Sequence, residues 1–356
     1  MQSNISTLST VEAAADIISE NALWFVAVAI RVCLTTALSI LAFITNICNV
    51  IVFSRMDINK SVKDSFIILS IVDCLSGFLG IMAGVCNALR YLGPARIKGS
   101  MYPIYFLFVT AGTLTIMLNM MTTTVIAVTR CCCVVLPFRF KEMATVYRQR
   151  ISILLATFGL LCTTVYSLTG TEIRIEENPT TNMSQLVILF HPEYIKRSQY
   201  SDIYRGIMFY LTFFTVIICL FALIIAIKRS LNARIALRAS NNRPKRDTRE
   251  DSNGGGSSRS SRSCTTGVRE AQVIKVVILV SIVFAICNTP LMVASILRQT
   301  EPGLNNVGVY KNSFDLMLII IETFSVINAS FNILIYLKFN TAYYTTFKNV
   351  FVKSVN

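Results

Sequence analysis

The stretch Val273–Leu297 reads VIKVVILVSIVFAICNTPLMVASIL and contains one charged residue, Lys275, in 25 positions. About 20 mostly apolar residues are enough for a helix to cross the roughly 30 Å hydrocarbon core of a bilayer. A helix also satisfies its own backbone hydrogen bonds, which lipid cannot do. The stretch therefore predicts a transmembrane helix.

Six further apolar runs of comparable length lie on either side of this one. The seven are Trp24–Phe53, Ser65–Leu89, Tyr102–Leu136, Ile151–Thr169, Ile203–Ile227, Val273–Leu297 and Phe314–Leu337. With 54% hydrophobic and 15% charged residues and a mean hydropathy of +0.60, the chain is too apolar for a soluble globular domain. We predict an all-α fold, a seven-transmembrane helix bundle over residues 24–337.

The distribution of positive charge predicts the direction of the chain. If the N-terminal segment 1–23 is extracellular, 21 of the 33 Lys and Arg residues fall in cytoplasmic segments and nine in external ones. The net charge of +14 is then loop charge, and no nucleic-acid partner is expected. Glycosylation triplets at Asn4 and Asn182 fall on the external side. These patterns predict a multi-pass plasma-membrane protein with an extracellular N-terminus.

Two segments outside the spans have a recognisable composition. Residues 228–271 are predicted to form the third cytoplasmic loop, partly disordered because the Gly-, Ser- and Arg-rich part 241–267 cannot bury a core, with flanks that continue the adjoining helices. In the C-terminal segment 338–356, apolar residues recur at helical spacing beside lysines. This pattern predicts a short amphipathic helix on the inner membrane surface, in contact with lipid. The apolar residues are Tyr343, Phe347, Val350 and Phe351.

Other classes of site find little support. Nearly all of the eleven cysteines lie inside apolar runs, which is typical of buried thiols rather than of a disulfide scaffold. The first twenty residues contain three acids and no Lys or Arg, so they lack the basic region of a signal peptide. The only histidine, His191, has no metal-ligand partners in sequence, and we predict no catalytic residues and no enzyme activity.

Five polar residues lie toward the middle or inner half of apolar spans, where such groups are costly and usually face the bundle interior. We predict that they meet at one depth. Two interpretations are compatible: a hydrogen-bond network around a protonated Asp73, or a sodium ion held by its carboxylate among amide oxygens. Apart from this sodium ion, no metal or cofactor is expected. The five are Asn46, Asp73, Asn119, Asn328 and Asn332.

Several motifs in order make the chain resemble the rhodopsin-like G-protein-coupled receptors. Asn46 matches the asparagine of their first helix, and Leu69–Asp73 their second-helix signature. Ala127–Cys131 is similar to the Asp-Arg-Tyr segment, Phe284–Pro290 to the Phe-x-x-Cys-Trp-x-Pro switch and Asn332–Tyr336 to Asn-Pro-x-x-Tyr. The resemblance covers about residues 46–351, and within the family the chain looks like invertebrate FMRFamide-peptide and chemosensory receptors.

The resemblance implies a heterotrimeric G protein as partner. Arg130 would reach the G protein, Pro290 would kink the sixth helix and make a hinge, and Tyr336 would fill space when that helix moves. The implied coupling and switch residues are Thr129, Arg130, Cys131, Phe284, Asn288, Pro290, Asn332 and Tyr336. A second interpretation of Arg130 is an interfacial cation.

The departures from the family pattern carry expectations of their own. Thr129 replaces the usual aspartate, which predicts raised basal signalling unless Thr129 bonds Arg130 instead. Ile333 replaces a proline and Asn288 a tryptophan. Tyr105 stands where the family has a cysteine, and the loop from Gly170 to Asp202 contains none, so other contacts must order that loop.

The resemblance also limits the ligand. Val326 replaces the retinal-binding lysine of opsins, and Gly112 the aspartate of amine receptors, so neither retinal nor an amine of that kind is expected. Gly112, Asn288 and Glu322 are predicted to line the pocket for an extracellular peptide or small chemosensory molecule. Arg31 is expected either to pair with Glu322, a candidate for cationic ligand groups, or to extend to the headgroups.

Two alternatives remain open from the sequence. A secondary transporter also carries intramembrane carboxylates, although no internal repeat is found. A seven-helix protein that does not signal is compatible with the altered motifs.

Overall fold

The computed structural model describes residues 16–58, 60–94, 97, 100–135, 146–178, 183–241, 259–301, 303–304 and 308–352. Its helices and strands are α1 (Glu20–Arg55), α2 (Lys60–Leu92), α3 (Met101–Val135), α4 (Val146–Leu168), β1 (Thr171–Asn178), β2 (Met183–Phe190), α5 (Pro192–Asn241), α6 (Arg259–Thr300), α7 (Lys311–Phe339) and α8 (Thr341–Phe347, continued by a π-helical turn, Lys348–Val352).

Seven of these helices, α1 to α7, are long and apolar enough to cross a membrane, and the predicted seven-helix bundle is confirmed. The helices are longer than the apolar runs alone indicate. Helix α5 continues to Asn241 and α6 begins at Arg259, so both extend into the segment 228–271, whose flanks were predicted to continue the adjoining helices. The polar extensions remain helical because their backbone groups can still bond within each helix.

Helix α1 is π-helical from Ala27 to Thr35 and α-helical on either side. A π-helical segment changes the direction in which the following side chains leave the helix, and such segments often occur at functional sites. Arg31 lies in the middle of this segment and is buried. The π-helical segment therefore helps to set the direction of the Arg31 side chain.

Helices α1 and α2 pack closely because α2 presents glycines to α1. A Cβ added at Gly77 would lie 2.7 Å from the backbone nitrogen of Phe43, closer than real atoms approach. Gly80 and Gly84 face the side chains of Ser39 and Thr36 in the same way. Small residues that allow such close approach are the usual basis of helix association in lipid.

Two clusters of buried apolar side chains fill the bundle. The first joins α1, α2, α3, α5, α6, α7 and α8 near the end of the bundle where α8 lies, which we call the α8 end. The second lies among α3, α4, α5 and α6 and includes Phe209, Phe213 and Phe284. Cys131 contacts both clusters and so links them across α3.

Strands β1 and β2 form an antiparallel hairpin between α4 and α5, which the sequence analysis did not anticipate. The hairpin is tied to neighbouring elements without a disulfide: Leu186 N donates to Ser100 Oγ at 3.1 Å, and the rings of Phe190 and Phe106 meet edge to face at 5.8 Å. We call this the hairpin end of the bundle. These contacts order the loop between α4 and α5, although Tyr105 stands where the receptors that the chain resembles have a cysteine.

Helix α8 packs its aromatic face against the bundle. Tyr343 is completely buried, and its ring lies among those of Phe53, Tyr336 and Phe347. Tyr344 and Val352 on the other face are exposed. This separation is the amphipathic pattern expected from the sequence, and the fold class stands as predicted.

Candidate functional site

Asp73 of α2 lies inside the bundle, and the network around it contains one residue of α3 and two of α7. The carboxylate is 1% exposed. Its Oδ1 accepts a hydrogen bond from the Asn119 amide, and its Oδ2 accepts one from Asn332 Nδ2 at 2.8 Å. Asn328 Nδ2 donates to Asn119 Oδ1 at 3.2 Å and extends the network. Four of the five polar residues predicted to meet do so.

The fifth, Asn46, belongs to a different chain of hydrogen bonds. Its Nδ2 donates to the carbonyl oxygens of Ala42 and Ala329, both at 2.9 Å. Its Oδ1 accepts from Asn49 Nδ2 at 3.0 Å, and Asn49 Oδ1 accepts from the Tyr343 hydroxyl at 2.6 Å. The expectation that Asn46 joins Asp73 is wrong in detail, because its side chain bonds the α7 backbone and leads toward α8.

A small cavity lies beside the Asp73 network. Its polar lining residues are Asp73, Ser76, Asn119, Asn288, Ser325 and Asn328. Its water-accessible volume is about 10 Å³, about the space of a single water molecule. Oxygen-bearing side chains around such a space are the donor set that a sodium ion or a water would use. The residues present therefore fit either of the two interpretations of Asp73.

Asn288 is part of this centre, which the sequence analysis did not anticipate. Its Nδ2 donates to the carbonyl oxygen of Phe284 at 2.8 Å, one turn earlier on α6, and the side chain lines the cavity. Pro290 follows within α6 without interrupting the helix. Phe284 is 1% exposed and packs in the second apolar cluster. Of the residues predicted to form a switch on α6, Asn288 thus faces the cavity and Phe284 packs in the apolar core.

Arg130 lies toward the α8 end of α3, and its Nε has no hydrogen-bond partner among the described residues. The hydroxyl of the neighbouring Thr129 donates to the carbonyl oxygen of Ile126 at 3.0 Å, and a neutral hydroxyl cannot supply the negative charge of the missing aspartate. Tyr336 is also buried with its hydroxyl unpartnered in the described part of the chain. Its ring packs against Phe53 at 5.0 Å and Phe66 at 5.5 Å.

A second polar centre lies nearer the hairpin end and joins α1, α3 and α7. Arg31 Nε donates to Glu322 Oε2 at 2.9 Å, and Arg31 Nη2 to Oε1 at 3.4 Å. The Tyr105 hydroxyl donates to Glu322 Oε1 at 3.2 Å, and the Arg31 guanidinium lies 5.7 Å from the centre of the Tyr105 ring. The predicted ion pair is confirmed. Because Arg31 is only 5% exposed, the alternative that it extends to the headgroups is wrong.

Asn87 on α2 extends this second centre. Its side chain approaches the Tyr105 hydroxyl and is 2% exposed. Its Oδ1 has no hydrogen-bond partner in the described structure. One turn further along α1, the hydroxyls of Thr35 and Thr323 meet at 3.0 Å. Neither Asn87 nor Tyr105 was assigned to this centre from sequence, although an amide inside an apolar span was a usable signal.

Gly112 faces unfilled space on α3. A Cβ added there would meet no atom within 4 Å. A larger side chain would therefore fit, so Gly112 keeps volume open rather than allowing a close contact. The predicted glycosylation sites Asn4 and Asn182 lie outside the described residues.

Residues 45–336 match the family model "7 transmembrane receptor (rhodopsin family)". A crystal structure of squid rhodopsin superposes with a TM-score of 0.61 at 14% sequence identity, over 96% of this chain and 88% of that one, which shows a similar fold. No curated protein matches the sequence.

The matched region contains the Asp73 network, Arg130, Glu322 and Tyr336, whereas Arg31 lies before it, and the matched family is one of receptors rather than of transporters. Seven apolar helices and this match make the chain a multi-pass membrane protein. The chain belongs to the rhodopsin family of seven-transmembrane receptors.

Proposed function

We propose that this receptor binds an extracellular ligand, a peptide or a small chemosensory molecule, at the hairpin end and activates a heterotrimeric G protein at the α8 end. The observation that carries the proposal is the arrangement along α7. Glu322 belongs to the outer polar centre and Asn332 to the inner one, ten residues or about 15 Å apart on the same helix. A ligand that shifts α7 at Glu322 therefore also shifts a donor to Asp73.

The orientation follows from charge. The hairpin end faces the outside and the α8 end the cytoplasm of a plasma-membrane protein, because the basic residues of the sequence are concentrated in the segments at the α8 end. In this orientation Asn4 and Asn182 are available for glycosylation. Arg130 lies near the cytoplasmic end of α3, where a G protein would approach.

Glu322 and Asn87 are the proposed polar contacts for the ligand. Glu322 is 23% exposed, more than its partner Arg31, and its Oε1 carries the two longer bonds. A carboxylate has about four acceptor positions and three are used here, so Glu322 can accept one further donor without loss of the Arg31 Nε bond. The unpartnered Asn87 Oδ1 is a second acceptor. Two acceptors beside Tyr105 favour a ligand group with several N–H donors, and Gly112 and Asn288 are proposed to bound its apolar part.

The experiment that tests the proposal is G-protein recruitment in cells that express the full-length receptor, screened with peptides and small polar molecules. Arg130→Ala is expected to abolish ligand-dependent recruitment. Arg55→Ala is the matched control, because Arg55 is an exposed basic residue near the α8 end of α1. If Arg130→Ala leaves recruitment intact, or if no ligand recruits any G protein to the wild type, the chain is better described as a seven-helix protein that does not signal in this way.

A further inference from the structure

Asp16 precedes α1 but caps the start of α7. Its Oδ2 accepts a hydrogen bond from the backbone N–H of Asn312 at 2.6 Å, and its Oδ1 accepts one from the Ser313 hydroxyl at 2.7 Å. The contact is reciprocal, because Asn312 Nδ2 donates to the carbonyl oxygen of Ile18 at 2.8 Å. Three hydrogen bonds therefore join two segments that are almost 300 residues apart in sequence.

The cap supplies what α7 lacks. Tyr310, the residue before the helix, makes no side-chain capping bond. The first backbone N–H groups of a helix have no partner within it, and a carboxylate placed there accepts one of them and interacts favourably with the helix dipole. Asn312 is the second residue of α7, which is the position that an N-cap side chain usually serves.

The same segment also caps α1. Ser19 Oγ accepts a hydrogen bond from the backbone N–H of Ala22 in the first turn of α1. Residues 16–19 thus hold the starts of α1 and α7 together, and we call them the clasp. The Arg31–Glu322 pair is a second connection between the same two helices, about 15 Å further along α7. Further along α7, Thr323, Ala329 and Ser330 also bond α1, so the clasp restrains the part of α7 that lies before Glu322.

We propose that the clasp restrains the outer end of α7 in the resting receptor, so that displacement of the N-terminal segment frees α7 to pivot about Glu322. Only the consequence for signalling rests on the proposed function. In that setting, release of Asp16 loosens the helix that carries Asn332 and raises basal activity. The N-terminal segment is then a built-in restraint on the receptor.

The clasp is not a sensor of mild acid. Partial burial raises the pKa of Asp16, but the hydrogen bonds from Ser313, Asn312 and Ile18 outweigh this effect and lower it below its ordinary value. A carboxyl whose folded pKa is lowered contributes stability above its unfolded pKa and loses it as the pH falls through the folded value. The clasp is therefore expected to stay closed between about pH 5 and 8.

Hydrogen exchange of the full-length receptor in phospholipid nanodiscs tests the clasp directly. In Asp16→Ala, the first-turn amides of α7 are expected to exchange about tenfold faster, the size of effect that loss of an N-cap produces. Asp16→Asn keeps one oxygen acceptor and is expected to show a smaller increase. The asparagine variant also provides the test if the alanine variant does not fold. Asp315→Asn is the control, because it removes a charge from the same helix end without touching the clasp.

Unchanged exchange in both Asp16 variants, or an equal increase in Asp315→Asn, would overturn the clasp. In the double variant, Ser313→Ala should add little to the effect of Asp16→Ala on amide exchange, since the two side chains share one hydrogen bond.

The signalling consequence is measured separately as basal G-protein activity. This activity is expected to rise at least about twofold in Asp16→Ala, within the usual range of coupling between sites. If ligand-dependent coupling requires Arg130 but Asp16→Ala leaves basal activity unchanged, the clasp does not restrain the receptor. Absence of Arg130-dependent coupling in the wild type would instead count against the proposed function.

Discussion

In the proposed orientation, the outer half of the bundle lies at the hairpin end and the inner half at the α8 end, and the two halves treat charged groups differently. Near the hairpin end, Arg31 and Glu322 neutralise each other, and Asp202 accepts hydrogen bonds from both Arg205 and Arg298. Nearer the α8 end, Asp73 is bonded only to neutral amides among the described residues, and the Arg130 Nε has no partner there. A charge paired within the protein fixes two helices together, whereas a charge without such a partner can be satisfied by an outside species. The outer half is therefore held by ion pairs, whereas the inner half keeps polar groups that an ion or a water can still bond.

Removal of the outer cation should have the largest effect. Arg31→Ala leaves the Glu322 carboxylate without its buried counter-ion, and breaking such a pair costs about 3–5 kcal/mol. We expect a large loss of thermal stability in nanodiscs and of receptor at the cell surface. The double reversal Arg31→Glu with Glu322→Arg should restore part of this loss. If it restores nothing, the pair does not connect α1 and α7 as described.

Removal of a single uncharged hydrogen bond in the inner half should lower stability less than removal of the Arg31 charge. Tyr343→Phe removes the hydroxyl that donates to Asn49 but keeps the buried ring, and is expected to lower the free energy of unfolding by about 1–2 kcal/mol. Tyr344→Phe, on the exposed face of α8, is the matched control and should change nothing measurable. Equal stability of the two variants would show that the Asn46–Asn49–Tyr343 chain does not stabilise the α8 end.

A sodium-dependent melting experiment distinguishes the two interpretations of Asp73, a bound sodium ion or a hydrogen-bond network around a protonated carboxyl. If the carboxylate holds sodium, replacing choline chloride by sodium chloride should raise the melting temperature of the wild type by a few degrees, an effect of about 1 kcal/mol. Asp73→Asn should abolish this difference because it removes the charge. A wild type that melts at the same temperature in both salts would favour the network around a protonated Asp73.

The smallest expected effect is on basal signalling through Arg130. Thr129→Asp places a carboxylate beside the guanidinium and should lower basal G-protein activity a few-fold, or by about 1 kcal/mol. Thr129→Val removes only the hydroxyl that bonds Ile126 and should leave basal activity unchanged. If Thr129→Val mimics Thr129→Asp, the threonine hydroxyl rather than the missing charge controls Arg130.

Much of the membrane architecture could be read from the chain. Seven long apolar runs leave a helix bundle as the solution, because each backbone group must bond within its own segment in lipid. The polar residues inside the runs were correctly identified as inward-facing, and the Arg31–Glu322 pair was anticipated. Exact helix ends were less predictable: the flanks of segment 228–271 were expected to be helical, but composition did not indicate that α5 ends at Asn241 and α6 begins at Arg259.

The candidate site was predicted less completely. Asn46 was grouped with Asp73 because both are polar and lie at similar depth, yet Asn46 bonds the Ala329 carbonyl on α7 and leads to Tyr343. Asn49 lies one turn from Asn46 and could have been found by that spacing. Tyr105 was noted only as a replaced cysteine, and its bond to Glu322 depends on how α3 and α7 are rotated.

The sequence by itself determined the number of spans, the residues that must be hidden from lipid and the family. These properties follow from local composition and from motifs of fixed spacing. The tertiary structure decided which polar group meets which. A hydrogen bond requires donor and acceptor within about 3 Å, and helix rotation, the π-helical segment around Arg31 and the close approach at Gly77 set such distances between segments far apart in the chain. For the same reason, only the folded molecule showed that Asp16, before the first helix, caps the last transmembrane one.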